Sequence, residues 1–363
     1  MAALPKKQFL GYLHSFRGFA IINIVAIHAV VFALFAVPNF DWNPKNPIVI
    51  GNEILFHNST IYFAVISGIL YMTILQYKGF KAFFISKAKY VLLPYLFFTL
   101  IFSTFHATPQ NWFALQPSWQ SYWNDLSINF IFGKASFQYW YIPVLFFMYL
   151  VTPVLDYFIK IQKWGIWLMG LIFIIPLVFR RIELEELMQS NILSLQTMMY
   201  FTGAYAAGMV IALDLEKSIA WINKYKILIW FLVIFSTIAL IYCSYNLIDK
   251  FGFFGLRSCL FYIQKMGASL LVLLWLKNKS TEQPKWMQRV ANYSFTIYFL
   301  HTLFLGIAMA VCMPIFLKWK AIAPFNIILG ALVLLIFSIV LSILVAEIFK
   351  KIFGKNARMI VGS

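Results

Sequence analysis

The sequence predicts an all-α integral membrane protein: a polytopic bundle of about ten transmembrane helices with both termini cytoplasmic. Composition is the first reason, because 62% of the 363 residues are hydrophobic, 11% are charged and the mean hydropathy is +0.82. Soluble globular domains have about 25% charged and about 45–50% apolar residues. The other two reasons are apolar runs of membrane-spanning length and an uneven distribution of Lys and Arg between the loops. Together these features exclude an ordinary water-soluble enzyme.

Ten apolar runs have roughly the 20 residues that a helix needs to cross a bilayer. Most connections between them are short, so we expect one transmembrane domain over residues 1–363 without a separate soluble domain. The eighth run is the least apolar, because it contains Arg257, Gln264 and Lys265. In chain order the runs are centred near Ile27, Val65, Phe97, Phe147, Phe173, Tyr205, Ser236, Tyr262, Thr302 and Phe337.

The 29 Lys and Arg residues concentrate in every second loop. Short cytoplasmic loops retain basic residues, so this alternation predicts that the N terminus and the C terminus both lie in the cytoplasm. The net charge of +17 is then sorted by membrane side, and we expect no nucleic-acid partner. The basic loops comprise residues 78–89, 160–163, 217–226, 277–289 and 350–358.

The stretch from residue 107 to residue 136 lies on the opposite side in this topology. It contains Trp112, Trp119 and Trp123 but few charges. Trp is enriched at membrane interfaces, so we expect the stretch to rest on the bilayer surface. The alternative is an aromatic platform on which a sugar ring stacks.

Two polar residues of the first span share one side of its helix. Arg17 stands near the cytoplasmic end, and His28 follows eleven residues later. Helix geometry puts His28 about 16 Å deeper and only about 20° further round the axis. A cation at the cytoplasmic end of the helix, with an imidazole on the same helix face near mid-membrane, suits a long anionic ligand that enters from the cytosol. The alternative is that His28 makes a structural hydrogen bond between helices.

Ionisable groups at bilayer depth need a partner or a task, because each costs about 2.5–3.5 kcal/mol on insertion scales. His301 follows Tyr298 by three residues, which places both side chains on one helix face. We expect this face to border the same cavity as His28. Lys265 either points into that cavity or pairs with a backbone carbonyl or a carboxylate.

Four segments resemble the membrane acyltransferase 3 family. SFRGFAIINIVAIHAV resembles the family signature in which an Arg and a His are separated by ten residues, here Arg17 and His28. IYFAVISGIL is similar to its Ser-Gly segment at Ser67, and QYWYIPVLFFMYLVTP to its Trp-aromatic segment at Trp140. SFTIYFLHTLFL is similar to its late Tyr-x-x-His segment. The four segments occur in the family's order and cover nearly the whole chain.

The resemblance implies transfer of an acyl group, usually acetyl, from cytosolic acyl-coenzyme A to a hydroxyl of a glycan or lipid-linked glycan. His28 is then the general base on the acceptor hydroxyl or, alternatively, carries the acyl group on its imidazole. Arg17, Lys87 and Lys89 are expected to hold the donor phosphates. Tyr298, His301 or Lys265 would stabilise the oxyanion, and Ser67 and Trp140 are further candidate site residues.

The resemblance further implies a multi-pass protein of the bacterial cytoplasmic membrane, with acyl-coenzyme A as co-substrate. We expect no permanently bound cofactor and no metal, since the three cysteines lie in apolar runs without a CxxC motif. Two positions depart from the family pattern. His14 stands where the family commonly has an acidic residue. Lys87 and Lys89 stand near positions where the family usually has arginines, and a lysine cannot form the bidentate hydrogen bonds of a guanidinium.

Two other function classes remain open on the sequence alone. Ten spans with a few buried cations are compatible with a transporter of a small organic anion, and a structural role is a third possibility. A transporter would take up its substrate without a thioester, whereas an acyltransferase consumes acyl-coenzyme A and releases free thiol.

Overall fold

The computed structural model describes residues 11–37, 39–105, 115–161, 164–178, 194–248, 255–279, 283–318 and 323–362. Among these residues the chain forms helices joined by turns, with no strand. The prediction of an all-α fold is therefore confirmed. The first nine helices are α1 (Gly11–Phe35), α2 (Pro47–Phe56), α3 (Thr60–Leu70), α4 (Gly79–Lys87), α5 (Leu93–Phe102), α6 (Trp119–Phe132), α7 (Tyr141–Lys160), α8 (Gly165–Val178) and α9 (Leu195–Ile211).

The second half of the chain alternates long helices with short ones. The remaining helices are α10 (Leu215–Lys224), α11 (Lys226–Asn246), α12 (Leu256–Asn278), α13 (Lys285–Asn292), α14 (Ser294–Lys318), α15 (Ala323–Phe353) and α16 (Ala357–Val361).

Eight helical stretches in the described part of the chain are long and apolar enough to cross a membrane. The second and third predicted spans both lie within the longest stretch, Pro47–Phe102, of 56 residues. The fifth coincides with α8, whose 14 residues extend about 21 Å, less than the hydrocarbon core of about 30 Å. The predicted number of about ten is therefore approximate. The protein is a multi-pass membrane protein.

Helices α3 and α9 cross at their closest point through two glycines. A Cβ atom on Gly68 would lie 2.1 Å from the carbonyl oxygen of Tyr205, and one on Gly208 would lie 2.1 Å from that of Val65. Small residues allow membrane helices to approach closely and to gain van der Waals contact, which is their main source of packing energy in lipid. Gly68 therefore has a packing role next to the candidate residue Ser67.

The polar residues of the eighth predicted span, α12, have partners on neighbouring helices. Arg257 forms an ion pair with Glu53 of α2, and Gln264 donates to Thr237 of α11 at 2.8 Å. Lys265 donates to the carbonyl oxygens of Ile54 and Leu55 at 3.1 and 2.7 Å. These bonds satisfy groups that would otherwise be costly to bury in a bilayer. They also explain why this span could be less apolar than the others.

The Trp-rich stretch that we expected on the bilayer surface contains α6. Trp119 and Trp123 of this helix are 76% and 59% exposed. Exposed indole rings fit membrane anchoring and also fit a stacking platform, so both readings remain. Residues 106–114, including Trp112, lie outside the described part of the chain.

Candidate active site

The N-terminal helix is held tightly against the start of α14. It packs on α13, α14 and α15. A Cβ atom on Gly18 would lie 2.7 Å from the carbonyl oxygen of Met287, so α1 and α13 approach too closely for a larger residue. This contact brings the neighbouring side chain, Arg17, to the first turn of α14.

Arg17 contacts the first two residues of α14. Its Nη2 atom donates to the hydroxyl of Ser294 at 2.8 Å, and its guanidinium lies 6.0 Å from the centre of the Phe295 ring. A guanidinium has five N–H donors, and Ser294 uses one of them. The half-buried Arg17 side chain therefore keeps donors for a ligand.

Two further cations surround Arg17. Lys87, at the end of α4, and Arg358, in α16, both interact electrostatically with it. Lys87 Nζ lies 4.5 Å from the centre of the Tyr149 ring, and the Arg358 guanidinium lies 4.4 Å from that of Tyr90. None of the three cations forms an ion pair with a carboxylate among the described residues. We call Arg17, Lys87 and Arg358 the basic cluster.

Lys87 and Lys89 take different positions. Lys87 belongs to the basic cluster, whereas Lys89 is exposed. Residues two apart in a helix project to nearly opposite faces, so the two side chains cannot serve one ligand equally. Of these two predicted donor-binding lysines, the structure brings only Lys87 to Arg17 within the described residues.

Arg358 is the member of the cluster that the sequence analysis missed as a site residue. The chain turns after α15 at Gly354, which has φ of 54°, and α16 packs beneath α5. The hydroxyl of Thr296 donates to the carbonyl of Val361 at 2.7 Å and fixes this end to α14. In the sequence, Arg358 is marked only by its place in the basic segment after the last span, a feature that predicts a cytoplasmic C terminus and not a binding site.

His28 stacks on His301 deeper along the same two helices. The ring centres lie 5.2 Å apart with an angle of 29° between the ring planes. The edge of Phe137 closes on His28, with ring centres 4.7 Å apart. Arg17 and His28, about three turns apart on α1, therefore both contact α14, at Ser294 and at His301, which are about two turns apart.

Hydrogen bonding fixes the tautomer of His301. Its Nδ1 atom lies 3.0 Å from the carbonyl oxygen of Ile297 and 2.9 Å from that of Tyr298. Carbonyl oxygens only accept, so Nδ1 carries the proton, and Nε2 of the neutral ring is an acceptor. Nε2 is buried and has no hydrogen-bond partner among the described residues. Neutral His301 thus has no spare N–H for an oxyanion.

The segment before α7 is hydrogen-bonded to the same part of α14. Tyr298 donates its phenolic hydrogen to the carbonyl of Gln138, whose side chain donates to Thr302 at 2.9 Å. Tyr139 donates to the carbonyl of Phe299 at 3.0 Å. Because its one hydroxyl hydrogen is used, Tyr298 must break this bond before it can stabilise an oxyanion.

A narrow and partly open cavity lies beside α14 at the level of Ser294 and Tyr298. Its polar lining consists of Ser67, Tyr141, Ser294 and Tyr298. Its apolar lining consists of Phe63, Ile142, Leu145 and Phe295. Ser294 is the partner of Arg17, and Tyr298 precedes His301 by one turn, although Arg17, His28 and His301 are not among the described residues that line the cavity.

The other predicted site residues take different places. Ser67 lines the cavity and shares a side-chain hydrogen bond with Tyr149. Trp140 is buried and packs on Tyr141 and Phe201. Lys265 follows the second of its two alternatives, since it bonds backbone carbonyls at the end of α2.

These observations define a multi-pass helical membrane protein in which one helix, α14, contacts Arg17 of the basic cluster and carries the buried His301 on which half-buried His28 stacks. The family described as acyltransferase domain, the acyltransferase 3 family, matches residues 10–347. The match covers nearly the whole chain, and the chain belongs to this family. The protein is therefore a membrane acyltransferase. No curated protein and no solved structure matches the chain significantly.

Proposed function

We propose that the protein transfers an acyl group, most simply acetyl, from cytosolic acyl-coenzyme A to a hydroxyl of a cell-envelope glycan. The observation that carries this proposal is the shared helix. Arg17 contacts α14 at Ser294, His28 contacts it at His301, and the cavity lies between these levels. Coenzyme A has its phosphates and its thioester at opposite ends of a long arm. Its phosphates would therefore bind at the level of Arg17 while its thioester lies near His28.

The basic cluster binds the donor phosphates in this proposal. Three cations without carboxylate partners in the described part of the chain repel one another, and an anionic ligand relieves that repulsion. Arg17 and Arg358 supply planar guanidinium groups that can form bidentate bonds with phosphate, and Lys87 supplies a point charge. Lys89, although exposed, can add to the attraction at longer range.

His28 acts as the general base. It accepts the proton of the acceptor hydroxyl while the oxygen attacks the thioester carbonyl carbon. The C–S bond then breaks, and the coenzyme A thiolate takes the proton from the imidazolium. His301, fixed by its Nδ1 bond, positions the His28 ring through the stacking contact. Phe137 packs against the His28 ring in a T-shaped contact.

The acceptor side of the proposal is supported by the family and by the exposed aromatic helix. A sugar hydroxyl would come from the side opposite to the basic cluster, where Trp119 and Trp123 expose their rings. The cytoplasmic membrane of a bacterium is the location that this proposal requires.

The test is the loss of acyl transfer in His28→Ala. Removal of a general base lowers turnover by about 10²–10⁴-fold, so thiol release from acetyl-coenzyme A and acetylation of envelope glycans, followed by mass spectrometry, should both collapse. His57→Ala is the matched control, because His57 packs on Phe261 outside this site. A folded His28→Ala protein with full transfer would refute the proposal. Thioester-independent uptake of an organic anion into vesicles would support a transporter instead.

A further inference from the structure

One phenol in the cavity wall differs from the other polar groups there. Tyr141 is 3% exposed, and its hydroxyl is buried without a hydrogen-bond partner among the described residues. The other polar lining groups are bonded: Ser67 to Tyr149, Ser294 to Arg17, and Tyr298 to Gln138. A buried polar group without a partner is destabilising, and a ligand in the adjoining cavity would supply the partner that Tyr141 lacks.

The surroundings of Tyr141 restrict what that ligand is. The rest of the lining is aromatic or aliphatic, so the cavity suits a slender and mostly apolar chain with isolated carbonyl groups. A phenolic hydroxyl can donate one hydrogen bond to such a carbonyl. The cavity also adjoins Ser294, the partner of Arg17, so a ligand held at the basic cluster would extend into it.

We infer that Tyr141 binds the arm of the acyl-coenzyme A donor, by donating a hydrogen bond from its hydroxyl to a carbonyl of the pantetheine chain. This inference rests on the proposed function. It adds a binding residue and assigns the cavity to the arm between the phosphates and the thioester. Tyr141 is a binding residue in this role and takes no part in proton transfer.

The test compares two ligands that share the arm and differ in the phosphates. Binding of coenzyme A and of pantetheine is measured on the purified protein in lipid nanodiscs, with pantetheine as a competitor of a labelled coenzyme A. Tyr141→Phe should weaken both ligands by about 2- to 10-fold, the range of one neutral hydrogen bond. Arg17→Ala should weaken coenzyme A and leave pantetheine unchanged.

Tyr262→Phe is the matched control. Tyr262 is also fully buried, its hydroxyl has no hydrogen-bond partner within the described ranges, and it does not line the cavity. Loss of an unpartnered hydroxyl should leave the thermal midpoint of either variant unchanged or higher, so Tyr141→Phe is expected to fold. If it does not, Leu145→Phe provides the second variant, because it narrows the same cavity and should weaken both ligands.

The outcomes separate this inference from the proposed function. Wild-type protein that binds neither ligand contradicts both. Wild-type protein that binds coenzyme A while Tyr141→Phe binds both ligands equally well contradicts the inference alone. An effect of Tyr141→Phe on coenzyme A but not on pantetheine also overturns it, because the arm is common to the two.

Discussion

At the scale of single residues, the structure assigns hydrogen atoms to the groups around the histidine pair. His301 uses its Nδ1 hydrogen on backbone carbonyls, and Tyr298 uses its hydroxyl hydrogen on Gln138. Both were expected as oxyanion donors, and that role remains a prediction for each. It now requires an imidazolium form of His301 or a broken bond at Tyr298, so we regard positioning of His28 as the simpler role of α14.

The role of Arg17 in donor binding gives a prediction at the same scale. Arg17→Ala should raise the KM for acetyl-coenzyme A by about 10-fold or more, because it removes a charge-assisted hydrogen bond to phosphate. The KM for acetyl-pantetheine should not change. Steady-state thiol release with the two donors checks this.

Arg289→Ala is the control for Arg17→Ala. Arg289 is exposed and forms an ion pair with Glu347 at 2.6 Å, away from the cavity lining. Its removal should leave both KM values unchanged. A KM for acetyl-pantetheine that rises as much as that for acetyl-coenzyme A in Arg17→Ala would contradict a phosphate-binding role.

At the scale of elements, the short helix α16 completes the basic cluster. Arg358→Ala should raise the KM for acetyl-coenzyme A, by less than Arg17→Ala does, because Arg358 is the more exposed of the two. Lys355→Ala removes a cation from the same exposed segment and should have no such effect. Equal increases in this KM for Arg358→Ala and Lys355→Ala would indicate that the basic surface attracts the donor at long range, without a direct contact between Arg358 and the phosphates.

The crossing of α3 and α9 gives a second prediction for elements. Gly68→Ala should destabilise the protein by about 1–3 kcal/mol, because the added methyl group overlaps the Tyr205 carbonyl and pushes the helices apart. Thermal unfolding in detergent measures it. Gly170→Ala is the control, since a Cβ there meets nothing within 4 Å. An unchanged midpoint for Gly68→Ala would mean that this crossing is looser than described.

At the scale of the whole molecule, the predicted orientation can be measured directly. Lys224 belongs to a basic loop and Gln120 to the Trp-rich helix, and both are exposed. A membrane-impermeant thiol reagent added to intact cells should label Gln120→Cys and not Lys224→Cys. The wild-type protein measures the background labelling of its own cysteines, of which Cys243 and Cys259 are buried and Cys312 is half-buried. Labelling of Lys224→Cys but not of Gln120→Cys would show that the orientation in the membrane is the reverse of the predicted one.

Much of the architecture could be predicted, because it depends on local properties of the chain. Apolar runs revealed the helices, and the period of 3.6 residues put Arg17 and His28 on one side of α1. The bends within Pro47–Phe102 could not be predicted, since the interruption at His57–Asn58, the turn at Gly79 and the π-type turns leave no signal in the apolar pattern, which looks like two separate spans. The prediction of about ten spans is therefore approximate.

The unpredicted parts of the site depend on contacts between distant segments. Arg358 reaches Arg17 only because the chain reverses after α15, which no local pattern encodes. The free hydroxyl of Tyr141 is apparent only once the partners of Ser67, Ser294 and Tyr298 are known. For Lys265, both alternatives were visible in sequence, and the position of α2 decided between them.

The central claim is that α14 contacts both Arg17, which binds the donor phosphates, and His28, which acts on the acyl group. Its most direct test is an electron cryo-microscopy structure with a non-hydrolysable acetyl-coenzyme A analogue. We expect the phosphates within hydrogen-bond distance of Arg17, the arm next to Tyr141, and the acyl carbonyl beside His28. An analogue that lies along the membrane surface, or whose acyl end is remote from the His28 ring, would contradict it.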